Sequence, residues 1–192
     1  MTKHGILRSG GPVRILAALV VAFLALVAVP GAANAADGPR ADFSGQAATA
    51  GLSTAEAKGL QKQVDGALAS THGTQIGANK IALPGGGEML LPLPGERKAR
   101  DLDRGLAAGD CPYQYVCAYY GENYTGTQIN MFTCNYMYRI TWNTTGSWIN
   151  NQRAELRARF YDRNGAVGWV SPGGFSYDPH ADWRWVWWVS PC

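Results

Sequence analysis

The spacing of apolar residues divides this chain into three stretches. Ile15 to Val29 is unbroken and apolar, with Lys3, Arg8 and Arg14 before it and Pro30, Gly31 and Ala33-Asn34-Ala35 after it. The run is shorter than the roughly 20 residues a bilayer core requires. A basic start, a short apolar run and a small-x-small site predict a secretory signal over 1–35, cleaved after Ala35. Residues 36–51 are Ala-, Gly- and Asp-rich and read as a flexible lead-in.

The second stretch begins with a helical period. Ala57, Leu60, Val64, Ala67 and Leu68 share one face. Ser53 and Glu56 supply a capping box at the start, and Gly73 ends the helix. Thr74 to Leu83 then reads as a strand, Gly85 to Gly87 as a turn and Glu88 to Leu91 as a weaker return strand. Pro92 and Pro94 stop that strand, because proline adds no donor to a ladder. Residues 52–95 are therefore expected to form a helix-plus-hairpin leader module. Its few apolar side chains leave two readings open: it packs against the second half of the chain, through Leu60, Val64 and Leu68 and over part of the Trp/Tyr surface, or it is a removable pro-segment. Residues 96–110 form the linker between the two, in which Glu96-Arg97-Lys98-Ala99-Arg100 reads as an exposed charged connector.

From Cys111 onward the period is two. Tyr113, Tyr115 and Cys117 alternate with Gln114, Val116 and Ala118. Further short strands are expected at Gln128 to Phe132, Met137 to Trp142, Leu156 to Tyr161, Ala166 to Val170 and Trp183 to Val189. Glycine and asparagine turns separate them, most clearly Asp162-Arg163-Asn164-Gly165. The fold class is mainly β, a small sandwich or barrel over 111–192.

Composition sharpens this division. Every Trp, Tyr and Cys lies in 111–192, whereas 36–110 holds one aromatic, Phe43. Four cysteines in an exported chain predict disulfides. They permit three pairings, and their spacing does not suit a structural zinc site. The formal charge of +3 comes from the signal alone, since removing its three basic residues leaves fourteen basic against fourteen acidic side chains. No basic block marks a nucleic-acid partner, and no second long apolar run marks a membrane partner after signal cleavage. No metal site and no cofactor are expected.

The run Tyr119-Tyr120-Gly121-Glu122-Asn123-Tyr124-Thr125-Gly126 has aromatics five apart and a glycine two further on. It resembles the aromatic corner of a βγ-crystallin Greek key, with Tyr119, Tyr124 and Gly126 as the motif residues. It directly follows Cys111-Pro112-x-x-x-Val116-Cys117. Together the two segments resemble the secreted actinobacterial peptidase-inhibitor family typified by the Streptomyces metalloproteinase inhibitor. Trp148-Ile149-Asn150-Asn151-Gln152 and Arg159-Phe160-Tyr161-Asp162 resemble later segments of that family. The resemblance implies a βγ-crystallin-like Greek-key sandwich, extracellular location and a secreted metalloprotease as partner. It also implies a Cys111–Cys117 pair, which leaves Cys134 with Cys192. The family's second closely spaced cysteine pair is absent here, so no reactive bond is carried over.

Two loops are candidates for contacting a protease, Asn143 to Asn151 and Ser171 to Tyr177. The second is preferred. Pro172, Gly173 and Gly174 would shape a projecting turn between Ser171 and Phe175-Ser176-Tyr177, and Phe175 would be the apolar anchor. A rival reading is a carbohydrate or cell-wall module that uses exposed tryptophans. On an alternating strand Trp183, Trp185 and Trp187 would share one face, with Arg184, Val186 and Trp188 on the other. An enzyme is disfavoured. His180, in Asp178-Pro179-His180-Ala181-Asp182, is expected in a solvated turn with no nucleophile-elbow motif to support a triad. Glu122, Glu155 and Asp162 read as surface carboxylates.

Overall fold

A computed structural model describes residues 42–105 and 107–192. The signal segment and the first residues of the lead-in lie outside the described residues. The leader opens with helix α1 (Ser44–Thr49), where an irregular lead-in was expected. Long-range contacts decide this: Ala47 is buried, the Gln46 side chain accepts a hydrogen bond from the Ala78 N–H, and its amide donates to Asp103 Oδ1 at 2.8 Å.

Helix α2 (Thr54–Thr71) begins at the predicted capping box, with Ser53 and Glu56 satisfying each other's orphan N–H groups. His72 closes it in the left-handed region. Leu60 and Val64 are fully buried and Leu68 is half-buried. Burying such a pair stabilises by about 1.5–3 kcal/mol per side chain. The helix packs mainly on α1 and on the leader's own strands.

The single strand expected over Thr74 to Leu83 is two. β1 (Thr74–Gly77) and β2 (Lys80–Ala82) flank a reversal at Ala78-Asn79, and β3 (Glu88–Leu90) completes a three-stranded meander. Asn79 explains the reversal, because its side-chain amide donates to the carbonyls of Leu91 and Arg100.

The leader is not a separate module. β3 pairs in register with β5, which belongs to the cysteine-framed region. The remaining strands are β4 (Val116–Gly121), β5 (Thr125–Met131), β6 (Tyr138–Arg139), β7 (Thr145–Asn150), β8 (Arg159–Tyr161), β9 (Val167–Val170), β10 (Ser176–Asp182) and β11 (Trp188–Ser190). One antiparallel sheet runs β1-β2-β3-β5-β4-β7-β10, the second β6-β11-β8-β9. The two form a Greek-key sandwich of the βγ-crystallin type.

Cross-strand register names the core. Ile81, Met89, Ile129, Ala118 and Trp148 are successive partners across five strands and face one side. With Phe160, Trp183 and Val189 they belong to one buried cluster that also includes Leu60 and Val64. Trp183 stacks on Phe160 and lies edge-on to Trp142.

The opposite face of the large sheet carries Lys80, Glu88, Gln128, Tyr119 and Cys117. The segment expected to be an exposed linker covers it. Ala99 is buried, Gly126 donates its N–H to Arg97 O at 2.7 Å, and Gly109 donates to Ala99 O at 2.8 Å. Tyr119 donates its hydroxyl to Gly109 O, and Gln128 its amide to Asp110 O. Burial pushes the Tyr119 hydroxyl far above its ordinary pKa. Lys80, almost wholly buried, meets Asp101 at 2.7 Å, Asp103 at 3.4 Å and Glu88 at 3.8 Å, while Arg104 reaches Glu88 at 2.8 Å. Buried charges of this kind persist only when paired.

Two further expectations are corrected. Trp183 to Val189 is not one strand: β10 ends at Asp182, residues 184–185 turn, and β11 begins at Trp188. The Asp182 carboxylate accepts from the Arg184 N–H and nucleates that turn, so Trp183 and Val186 both point into the core. Asn143 to Asn151 is not a projecting loop, because β7 occupies it and pairs with β4 on one side and β10 on the other. A side chain at Gly146 would overlap the Trp183 indole, which donates to Tyr119 O beside it. The small residue that looked like a turn is there for this close approach.

Candidate functional site

The preferred loop, Ser171 to Tyr177, leaves β9 and enters β10. Its base is buried. Ser171 Oγ accepts from the Ala158 N–H at 2.9 Å and from the Asn150 amide at 3.4 Å, and the Ser171 N–H donates to Ala158 O. Beyond Pro172 the chain is pressed onto residues 152–154. A side chain at Gly173 would run into the Ala154 carbonyl, and one at Gly174 into the carbonyls of Gln152 and Arg153. Glycine is needed here for backbone-on-backbone contact rather than for a special φ.

Phe175 follows with φ of 63°. A bulky residue in the left-handed region is held there by its surroundings, at a cost on the order of 1–3 kcal/mol. The restraints are visible. Its N–H donates to Asn150 O at 2.7 Å, and the Ser176 hydroxyl donates back to Gly173 O at 2.7 Å. The ring itself projects, with Phe175 64 % exposed and Tyr177 67 % exposed. The loop is therefore a tightly bonded turn that carries two large rings in solvent.

The motif residues lie elsewhere on the β domain. Tyr119 is fully buried and meets Tyr124 edge-on at 5.5 Å between centroids, and Gly126 takes φ of 77°. Ser147 on β7 accepts from the Tyr124 N–H at 2.8 Å and donates to Gly121 O at 2.7 Å, which folds the β4–β5 hairpin over the sheet. The disulfides join Cys111 to Cys117 and Cys134 to Cys192.

The other candidates do not converge. His180 is mostly exposed on β10, where Pro179 sits in a bulge on an edge strand, and its Nδ1 is 3.4 Å from Glu122. The expected turn at Asp178 to Asp182 is therefore a strand with a bulge. The Asp162 carboxylate accepts the N–H groups of Asn164 and Ala166 and serves the β8–β9 turn. Glu155 pairs with Arg153 at the surface. Among the described residues no three His, Cys, Asp or Glu side chains cluster as metal ligands.

The tryptophans are largely engaged with the protein itself. Trp148 and Trp183 are buried, and Trp169 packs against Trp148 and Phe160. Trp185 lies over Gly168, where a side chain would overlap its ring. The Arg139 guanidinium sits 4.0 Å from the Trp187 centroid and 4.9 Å from that of Trp188.

Sequence reading missed Tyr113, which lies inside the Cys111–Cys117 loop and is 55 % exposed. Its period-two position marked it only as a strand residue. Its ring stacks on Phe175, at 6.5 Å between centroids and 11° between planes.

No curated protein and no solved structure matches this chain. One family model does, and its match ends at Ser171, the first residue of the preferred loop. Residues 106–171 match the model of Peptidase inhibitor family I36, a stretch that runs from the end of the connector through β9.

Proposed function

We propose that this chain is a secreted inhibitor of an extracellular metalloprotease, and that it acts by seating the Ser171–Tyr177 loop in the protease active site. The family whose model matches residues 106–171 is one of secreted metalloprotease inhibitors, not of enzymes. The observation that carries the loop assignment is Phe175, a large apolar side chain held in solvent at positive φ by hydrogen bonds to β7 and to its own turn. A restrained loop binds with little further loss of conformational entropy. The export signal expected over residues 1–35 would deliver the inhibitor to the compartment of such a partner.

A cell-wall polysaccharide partner has weaker support. It needs a row of free ring faces, and Arg139 lies over those of Trp187 and Trp188.

Phe175→Ala tests the reading. Phe175 is outside the core, so the variant should melt within a few degrees of the wild type. Inhibition of a thermolysin-like protease should weaken by tenfold or more, the loss expected of a hot-spot aromatic worth about 2 kcal/mol. A folded variant with an unchanged inhibition constant would remove this loop from the mechanism.

A further inference from the structure

The Cys111–Cys117 loop and the Ser171–Tyr177 loop are far apart in sequence but hang from adjacent residues, Asn151 and Asn150. Phe175 donates its N–H to Asn150 O at 2.7 Å. Gln114 donates to Asn151 O at 2.8 Å, the Asn151 N–H returns to Tyr115 O at 2.9 Å, and the Asn151 amide donates to Cys111 O at 2.8 Å. The end of β7 thus clamps both loops, and the disulfide closes one of them.

Each loop also holds a non-glycine residue in the left-handed region, Gln114 at φ of 73° and Phe175 at 63°. Between these bends the Tyr113 and Phe175 rings lie parallel, both more than half exposed. Tyr177 follows two residues after Phe175 and is also mostly exposed. It is the register partner of Ile149, which is in turn the partner of Cys117. Solvent-exposed rings in parallel contact restrict each other's rotamers, so the pair presents one flat apolar wedge rather than two mobile side chains.

We infer that the Cys111–Cys117 loop is the second half of the inhibitory edge, with Tyr113 as the residue that positions Phe175. This rests on the inhibitor reading given above. The chemistry of the edge specifies its partner: a protease subsite that accepts a large aromatic side chain, flanked by an apolar wall against which Tyr113 lies. Tyr113 is a positioning residue, and its own contact with the protease is secondary to the stack.

The test uses the full mature chain and a thermolysin-like zinc protease that accepts aromatic side chains. Inhibition constants are measured for the wild type, Tyr113→Ala, Tyr113→Phe, Phe175→Ala and the double variant Tyr113→Ala/Phe175→Ala. Tyr113→Ala should weaken inhibition by about 3- to 10-fold, the scale of one aromatic pair. Tyr113→Phe should stay within about twofold because the stack is retained. The double variant should be no weaker than Phe175→Ala alone, since the brace has nothing left to hold. Without protease, the ring-current shifts of the Phe175 protons should collapse in Tyr113→Ala and persist in Tyr113→Phe. If Tyr113→Ala melts early, Tyr113→Leu replaces it, keeping the bulk without the flat face. A Tyr113→Ala variant that inhibits like the wild type, or losses that multiply in the double variant, would overturn this inference and leave the inhibitor reading standing. A wild type that inhibits no such protease would overturn both.

Discussion

The leader and the cysteine-framed domain share one sheet but are held in it by different forces. The domain encloses the tryptophan-rich core and is closed by two disulfides, one of which ties Cys134 to the last residue. Among the described residues the leader has no disulfide. It is held by the β3–β5 ladder, by Leu60, Val64, Ile81 and Met89 in the shared core, and by the buried Lys80 among carboxylates. The Tyr138 hydroxyl, which belongs to the domain, donates to the leader's Gly85 O at 2.6 Å. Covalent closure keeps its effect when side-chain charges titrate, whereas ion pairs do not. The comparison teaches that a segment poor in aromatics is stable here because it borrows a neighbour's core and covers that neighbour's sheet edge.

Removing the leader should have the largest effect. Residues 111–192 alone would leave the β5 edge unpaired and uncover Ile129 and Tyr138. The expected outcome is loss of a single cooperative melt, with self-association visible by light scattering. A truncated domain that stays monomeric and melts like the full chain would show that the leader contributes nothing.

Lys80→Met strips the buried cation and leaves Asp101 and Glu88 with only the half-exposed Arg104 as counter-charge. A loss of about 3–5 kcal/mol is expected by chemical denaturation. Lys80→Met/Asp101→Leu should recover much of it, because the stranded charge goes too. On the other side of the comparison, Cys134→Ala/Cys192→Ala opens a long loop and should cost about 4 kcal/mol, against about 2 kcal/mol for Cys111→Ala/Cys117→Ala. Equal losses for the two pairs would mean that loop length does not set their effect.

Acid should separate the regions more gently. Burial alone would raise the Asp101 pKa, but its hydrogen bonds to Lys80 and the Asp103 N–H, with the charges of Lys80 and Arg104, carry it below the ordinary value. A depressed carboxylate stabilises fully above its unfolded pKa of about 3.9, and that contribution fades as pH falls through the lower folded value. Hydrogen exchange of β1 to β3 should therefore accelerate below about pH 4 before that of β4, β5 and β7. Uniform acceleration across both regions would count against the ion cluster as the leader's fastening. The smallest effect is expected at Phe175→Gly. Relief of the positive φ should offset the added chain entropy and leave stability within about 1 kcal/mol of the wild type.

Features set by near neighbours were readable in advance. Ser53 and Glu56 sit three apart and cap α2 as a pair. Asp162 to Gly165 forms the β8–β9 turn from its own side chain and glycine. The aromatic corner of Tyr119, Tyr124 and Gly126 was readable as a resemblance, and the Phe175 turn as a Pro-Gly-Gly pattern. Features set by distant partners were misread. Gly146 looked like a turn because the Trp183 indole it accommodates lies far along the chain. Pro179 looked like a loop because an edge strand tolerates a proline in its bulge. Alternating tryptophans suggested one strand, yet the Asp182 carboxylate turns the chain between them.

The helix start and the split into an aromatic-poor leader and an aromatic β region came from the sequence alone, and the Greek-key corner came as a resemblance. Each depends on contacts within a few residues or on a compact motif. The tertiary structure alone decided that the leader completes the sheet, that the charged connector lines its outer face, and that Tyr113 meets Phe175. In each case the contact joins segments distant in sequence, and the energy that selects it comes from shared burial and from hydrogen bonds that no local pattern encodes.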